Sequence, residues 1–310
     1  MKYNILVTGG TGFIGRNFIS LLEKKKLFNI YSLSQKKIKK KLQNKNINYI
    51  FCNIEDRLKL KNKLKINFDF VVNLAGHKNH AEKKKTYQID YIGLKNLAEI
   101  LLSKNMKTFI QIGSSVEYGF MKSPQKEKNQ NNTNKLKSIY GKSKLKSTNL
   151  LIKLNKKKKF PVLILRPYLI YGPGQSSERL IPFVINSCLD NKSFNLSSGK
   201  QIRNFLYVSD FSKILYKSLF LKTNEKILNT GSSKNYQVKF IIDKINKLVN
   251  KGNPRYGRIN LRKDEPFYLY PDLKKFKKLI KFNTETKIEN GLKKTIAYIK
   301  KLKNEKNLFN

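Results

Sequence analysis

Short apolar runs alternate along the first half of the chain with stretches in which apolar residues recur every three or four positions. Tyr3 to Thr8 (YNILVT) reads as a buried strand, and Phe13, Ile14, Phe18, Ile19 and Leu22 then recur at helical spacing. Further strands are predicted at Ile30 to Leu33, Ile47 to Cys52, Phe70 to Leu74, Phe109 to Ile112 and Val162 to Arg166, with helices near Ile89 to Ser103 and Tyr140 to Lys153. Strands this continuously apolar are covered on both faces, so the pattern predicts a parallel sheet with helices above and below it. After Pro167 the rhythm changes. Pro and Gly gather in RPYLIYGPGQ, and short strands at Phe194 to Leu196, Asn204 to Val208 and Ile227 to Thr230 mix with helices near Leu180 to Leu189, Ser209 to Leu221 and Val238 to Val249. Two closing helices begin near Leu273 and Ile288. The expectation is an α/β chain in two parts: a sheet domain over residues 1–166, then a smaller mixed α/β part over 167–310 with segments near 204–232 returning to the main sheet. A ligand cleft between them would lie above the carboxyl ends of the strands.

Composition permits such a core. Of 310 residues 39% are hydrophobic and 11% aromatic, which excludes a peptide hormone, a knottin or a bare DNA-binding module. Charge is the anomaly, since 66 Lys and Arg against 20 Asp and Glu leave +46. The lysines are spread through Lys24 to Lys26, Lys36 to Lys41, Lys83 to Lys85, Lys156 to Lys159 and the C-terminal helices, with asparagine frequent beside them, as in Asn129 to Asn132. That distribution reads as a solvated coat rather than a nucleic-acid footprint, although it would draw in an anionic small substrate. Cys52 and Cys188 stand far apart in apolar surroundings, which fits a reducing cytoplasm. No run approaches a membrane span, and Ile5 to Val7 passes at once into Thr8-Gly9-Gly10, so neither membrane insertion nor a signal peptide is expected.

The first motif carrying chemistry is Gly9-Gly10-Thr11-Gly12-Phe13-Ile14-Gly15, between a predicted strand and a predicted helix. Gly9 makes the tight turn, Gly12 lets backbone approach a pyrophosphate and Gly15 lets the helix pack on the sheet, while the helix amides face the phosphates. This is the dinucleotide-binding arrangement of a Rossmann, doubly wound parallel sheet. After the second strand, Tyr31-Ser32-Leu33-Ser34-Gln35-Lys36-Lys37 offers no carboxylate for ribose hydroxyls. Ser34 and Lys36 suit a 2'-phosphate, which favours NADP(H), with NAD(H) the alternative.

Tyr140-Gly141-Lys142-Ser143-Lys144 begins a predicted helix, and i,i+4 spacing puts the Tyr140 hydroxyl and Lys144 ammonium on one face. A neighbouring ammonium favours the phenolate and tunes a group near pKa 10 for proton exchange with a carbinol or ketone. Ser114-Ser115-Val116-Glu117-Tyr118-Gly119 follows the fifth strand and presents hydroxyls at its carboxyl edge. Ser114 is placed to bond the reacting oxygen, with Ser115 its local competitor.

With these motifs assembled, the chain resembles an extended short-chain dehydrogenase/reductase of the nucleotide-sugar epimerase/dehydratase group. The resemblance spans nearly all of the sequence: TGGTGFIG at Thr8 to Gly15, NLAG at Asn73 to Gly76, GSSVEYG at Gly113 to Gly119, YGKSK at Tyr140 to Lys144, RPYLIYGPGQ at Arg166 to Gln175 and RNFLYVSD at Arg203 to Asp210. It implies a proton-transfer role for Tyr140, a ribose-binding and tuning role for Lys144, and the Ser/Thr position of a triad for Ser114. It also implies cofactor contacts from Gly9, Gly12, Phe13, Ile14 and Gly15, from Asn53 and Ile54, and from Leu74, Ala75 and Gly76. The implied substrate is a nucleotide-diphosphate sugar, clamped by Arg203 and by Arg258 of PRYGR, with Ser115 and His77 near the sugar. A homodimer through the helices near Ile89 to Ser103 and Tyr140 to Lys153 is implied as well.

Three positions depart from the family pattern, the first of which bears on the reaction. Ser115 and Val116 stand where dehydratases of this group place an acidic pair, which disfavours sugar 4,6-dehydration. Asn53 replaces an Asp that many relatives set against adenine, and Asp90 stands where Asn is common. The missing acid after the second strand, the Gly-Ser-Ser-x-Glu-Tyr-Gly variant and the tail LRKDEPFYLYPD at Leu261 to Asp272 are similar to deoxysugar 4-ketoreductases of the CDP-abequose synthase type. Reduction of a 4-keto-sugar nucleotide is therefore the leading expectation, with a 4-epimerase retaining NAD as the alternative. Two other classes remain: a non-catalytic, nucleic-acid-associated Rossmann protein, and a structural member of a polysaccharide-assembly complex. His77 and His80 lack a third ligand, so no metal is expected.

Overall fold

A computed structural model of the chain describes residues 2–77, 79, 81–128, 136–261, 265–283 and 286–307. The apolar runs become strands β1 (Tyr3–Thr8), β2 (Phe28–Ser34), β3 (Ile47–Phe51), β4 (Phe70–Asn73), β5 (Thr108–Ile112) and β6 (Val162–Pro167). Between and after them lie helices α1 (Phe13–Lys25), α2 (Arg57–Lys63), α3 (Lys83–Tyr87), α4 (Leu94–Leu101) and α5 (Ile139–Lys158). A π-helical turn, Gln88–Gly93, joins α3 to α4. The second half contributes β7 (Leu169–Tyr171), α6 (Leu180–Leu189), β8 (Ser193–Asn195), β9 (Ile202–Tyr207), α7 (Val208–Leu219), β10 (Ile227–Thr230) and β11 (Asn235–Gln237). It closes with α8 (Val238–Val249), β12 (Asn253–Arg255), β13 (Tyr268–Leu269), α9 (Lys274–Ile280) and α10 (Ile288–Asn307).

Seven strands form one sheet in the order β10-β6-β5-β4-β1-β2-β3, every neighbouring pair parallel. This is the Rossmann, doubly wound α/β arrangement expected from the sequence. The chain runs outward from β1 in both directions, so the crevice where a ligand settles opens between the carboxyl ends of β1 and β4. Phe18, Leu22, Phe211, Leu215 and Phe276, from α1, α7 and α9, pack on one face of the sheet. Leu60, Leu94, Leu97, Leu101 and Leu151, from α2, α4 and α5, cover the other. Burial on both faces is why these strands carry almost no polar alternation.

The remaining elements gather around β9, which pairs antiparallel with β11 and parallel with β13 and β7. A separate core, including Val184, Ile185, Phe205, Ile241, Ile245 and Leu292, joins α6, α8 and α10 to that sheet. Within 204–232, β10 joins the main sheet beside β6 and α7 packs on it, whereas β9 belongs to the smaller sheet. Among the described residues no helix is long and apolar enough to cross a membrane. Cys52 and Cys188 are both buried and free.

Candidate active site

The turn after β1 is built for close approach. Gly9 has φ of 65° and its N–H donates to Leu33 O at 2.8 Å, while a Cβ there would lie 2.9 Å from Leu74 O. A Cβ on Gly15 would fall 2.3 Å from Gly9 O, so α1 can sit this near the turn only with glycine. Gly12 caps α1 without a side-chain bond, with no acid in the first turn, and a Cβ on it would meet only Gly9 O at 3.1 Å. A glycine-capped helix start headed by Phe13 and Ile14, whose first-turn amides find no partner within a helix, fits a pyrophosphate. The loop after β7 reaches this corner, where Asn17 Nδ2 donates to Pro173 O at 3.3 Å.

Across the strand ends runs a buried polar ladder that sequence reading missed. Thr8 Oγ1 donates to Asn73 Oδ1 and accepts the Ala75 N–H at 3.1 Å. Asn73 Nδ2 donates to Gln111 Oε1 at 2.7 Å, and Gln111 Nε2 to Ile112 O at 2.8 Å. The ladder fixes Leu74, Ala75 and Gly76 beside the glycine turn. At the end of β2, the buried Ser34 hydroxyl accepts from the Thr11 amide and hydroxyl at 3.3 and 3.0 Å, and Lys36 is exposed beyond it. Asn53 is engaged with Glu55 at 2.7 Å, and Ile54 is buried against Gly93. Ser34 and Asn53 are thus both engaged within the fold.

Ser114 caps a short 3-10 turn, Ser115–Tyr118, and a capping box joins its backbone N–H to Glu117 Oε1 at 2.8 Å. Glu117 is fully buried, and its other oxygen receives Thr148 Oγ1 at 2.8 Å and Arg166 at 2.9 and 2.7 Å. Arg166 lies over the Tyr118 ring, 4.6 Å from its centroid. This linkage from β6 and α5 holds the loop that aims Ser114. Ser115 beside it is buried.

Ser138 caps α5 through the Gly141 amide at 3.0 Å, which sets Tyr140 in the first turn. The Ser114 hydroxyl hydrogen-bonds the Tyr140 phenol. Lys144 Nζ lies 5.7 Å from the Tyr140 ring centroid, donates to Ile112 O at 3.2 Å and pairs with Asp90 Oδ1 at 3.2 Å. The three residues are thus brought together. Burial pushes the Tyr140 phenol above its ordinary value, and Asp90 adds to the rise, while Lys144, the Ser114 bond and Arg179 oppose it. The ammonium acts in the expected direction, but enclosure outweighs it. For Lys144, burial pulls downward, yet Asp90 and Tyr140 lift it to about 12, so it stays charged. Asp90 and Arg179 are further members that motif reading did not assign to the site.

On the substrate side the expected residues sit on separate elements. Arg203 is buried, its guanidinium held by Glu265 at 2.5 Å, Ile202 O at 2.8 Å and Phe267 O at 2.9 Å. Arg258 is exposed on the loop after β12, where its amide bonds Leu196 O at 3.0 Å. His77 lies 3.5 Å from Glu82, and His80 falls outside the described residues. A cavity of about 590 Å³ lined by Lys25, Lys213, Tyr216, Lys217 and Phe282 shares no residue with this site.

Comparison with known proteins agrees with the geometry. The profile of the NAD dependent epimerase/dehydratase family matches residues 5–231, and the chain belongs to that family. It is 33% identical over 230 residues to a dTDP-D-glucose 4,6-dehydratase of Dictyostelium discoideum, covering 66% of this chain and 53% of that protein. With an uncharacterised UDP-glucose epimerase of Bacillus subtilis it shares 26% identity over 320 residues, covering 96% of this chain and 98% of the relative. Its fold superposes on the Thermotoga maritima UDP-glucose 4-epimerase, solved with UDP-glucose, at a TM-score of 0.88 and 22% identity, covering 96% and 99% of the two chains. The protein is therefore an enzyme of the NAD-dependent epimerase/dehydratase family, within the extended short-chain dehydrogenases/reductases.

Proposed function

We propose that this enzyme reduces the 4-keto group of a nucleotide-diphosphate sugar, with NADPH as hydride donor. One observation carries the reading: Ser114, Tyr140 and Lys144 are assembled, while the one carboxylate of their loop, Glu117, is locked to Arg166 and Thr148. Dehydration needs further acid–base groups to take a proton from the carbon beside the carbonyl and to protonate the departing hydroxyl. Ser115 and Val116 supply neither. Carbonyl reduction needs only one proton donor. Tyr140 hands its proton to the carbonyl oxygen, Ser114 orients that oxygen, and the Lys144 charge steadies the phenolate left behind. The nicotinamide, held through Gly9 to Gly15, Leu74 to Gly76 and Lys144, supplies the hydride when bound. The choice of NADP(H) rests on the chain after Ser34, where Lys36 and Lys37 are exposed and no carboxylate follows.

A 4-epimerase is the second reading, supported by the near full-length Bacillus subtilis relative. The nicotinamide content of purified protein separates the two. Empty protein that binds NADPH more tightly than NADH, and consumes it with 4-keto-deoxysugar nucleotides, supports the reductase. Retained, near-stoichiometric NAD with 4-epimerisation and no net nicotinamide turnover overturns it. A homodimer through α4 and α5 belongs to the same proposal and is read from sedimentation.

A further inference from the structure

The helix ahead of α4 carries a buried acid that the proposed chemistry leaves unused. Asp90 sits in the π-helical turn, the kind of local widening that recurs at functional positions. Its side chain is fully enclosed, Oδ1 lies 3.2 Å from Lys144 Nζ, and neither oxygen has a hydrogen-bond partner among the described residues beyond that ion pair. A Cβ on Gly76 would lie 3.0 Å from the same oxygen, so the acid faces the chain beside the glycine turn. Enclosing a carboxylate and an ammonium rarely repays their desolvation, so such a pair calls for a role other than stability. Lys144 is moreover gripped from two directions, by Asp90 from the π turn and by Ile112 O from the end of β5.

We infer that Asp90 is a positioning residue that holds the Lys144 ammonium and keeps Tyr140 in its neutral, proton-donating form. The inference rests on the reading of Tyr140 as the proton-transfer group. An unpaired ammonium beside a phenol favours the phenolate, which accepts protons. A carboxylate on that ammonium cancels much of its field and leaves the phenol ready to give one. The charged groups around the pair permit this. Tyr140 faces Lys144 and Asp90, and Arg179 from the start of α6, with the Ser114 hydroxyl beside it. Lys144 faces Asp90, Tyr140 and Glu117, the last already matched by Arg166. On the outer side of the same helices, Lys146 lies over the rings of Tyr87 and Tyr91, and Lys83, Lys84 and Lys85 are exposed. Asp90 thus adds to burial in keeping the phenol protonated, against the pull of Lys144.

Asp90→Asn removes the charge and nearly keeps the volume. The phenol is titrated by ultraviolet difference spectroscopy in the whole protein, with the matching Tyr140→Phe variant subtracted in each background. About tenfold more Tyr140 phenolate at a fixed alkaline pH is expected in Asp90→Asn. The alkaline fall of the reduction rate should move to lower pH by about one unit. Asp90→Ser, which leaves room for water, carries the same expectation if the amide disturbs packing. An unchanged titration with only a lowered melting temperature would make Asp90 structural and overturn the inference. Titration needs no substrate, so it is separate from the functional reading, which falls instead if Tyr140→Phe keeps full turnover.

Discussion

At Tyr140 enclosure and three positive or donating neighbours pull in opposite directions, and the net result is a phenol held above its ordinary range. Such a group is a donor at neutral pH, so removing it should cost chemistry rather than binding. Tyr140→Phe is expected to lower turnover by about 10²–10⁴, with nicotinamide binding unchanged in a fluorescence titration. Ser114→Ala should cost about 10²–10³, the loss of one oriented donor. Lys144 makes a different prediction, because its partner is buried. Lys144→Met leaves Asp90 charged and unpaired, at a cost of about 3–5 kcal/mol; adding Asp90→Leu should recover most of it in urea unfolding. Additive losses would mean that the two do not act as a pair. The Lys144 value is raised from 10.5 to about 12, so the pair's contribution is complete at neutral pH and is lost only as pH climbs through that interval. Ser114, Tyr140, Lys144 and the glycines were legible because each lies in a short local motif. Asp90, Glu117 with Arg166, and Thr8 with Asn73 and Gln111 were not, because their partners are distant in sequence and meet only where strand ends converge.

Elements were legible in proportion to their burial. The six strands β1 to β6 and helices α1, α6, α7 and α8 follow the apolar pattern closely, since each has a face with no alternative to the core. The pattern hides α2, whose seven residues bury only Leu60, and the two- and three-residue strands β7, β11, β12 and β13. It also hides the start of α3 in Lys83 to Lys85, which are exposed and carry no apolar rhythm. The engagement of Arg203 is hidden in the sequence for a related reason. The motif fixed its position on β9, but its pairing with Glu265 depends on how the chain beyond β12 returns. The glycine turn gives this scale its prediction. A Cβ on Gly15 collides with the Gly9 carbonyl and the Gly10 backbone, so Gly15→Ala must shift α1, costing about 1–3 kcal/mol and weakening nicotinamide binding. Gly12→Ala meets only one atom at 3.1 Å, so it should weaken binding with little change in urea midpoint. Unchanged nicotinamide affinity in Gly12→Ala would place the pyrophosphate elsewhere.

Over the whole molecule the charge, not the fold, is unusual. A net charge of +46 makes the compact state repel itself, and the exposed ion pairs, such as Lys59 with Asp56 and Lys239 with Asp243, offset little of it. The exposed lysines run from α1 through the chain after β2 to the ends of α5 and α10 without gathering at one element. Their field therefore acts as a diffuse attraction on any diphosphate approaching the cleft. Salt distinguishes this coat from the site inside it. The screening length shrinks from about 30 Å at 0.01 M to about 10 Å at 0.1 M, which removes the coat's long-range field but scarcely touches Lys144 and Asp90, both enclosed. Across that range KM for a sugar nucleotide should rise several-fold while kcat stays constant, and resistance to urea should increase as self-repulsion is screened. Nucleic acid held by the same coat should be released over the same range, with the steep dependence of counterion exchange. Nucleic-acid binding that survives physiological salt, together with a KM indifferent to it, would instead locate a dedicated polyanion surface on this chain and return the non-catalytic reading to contention.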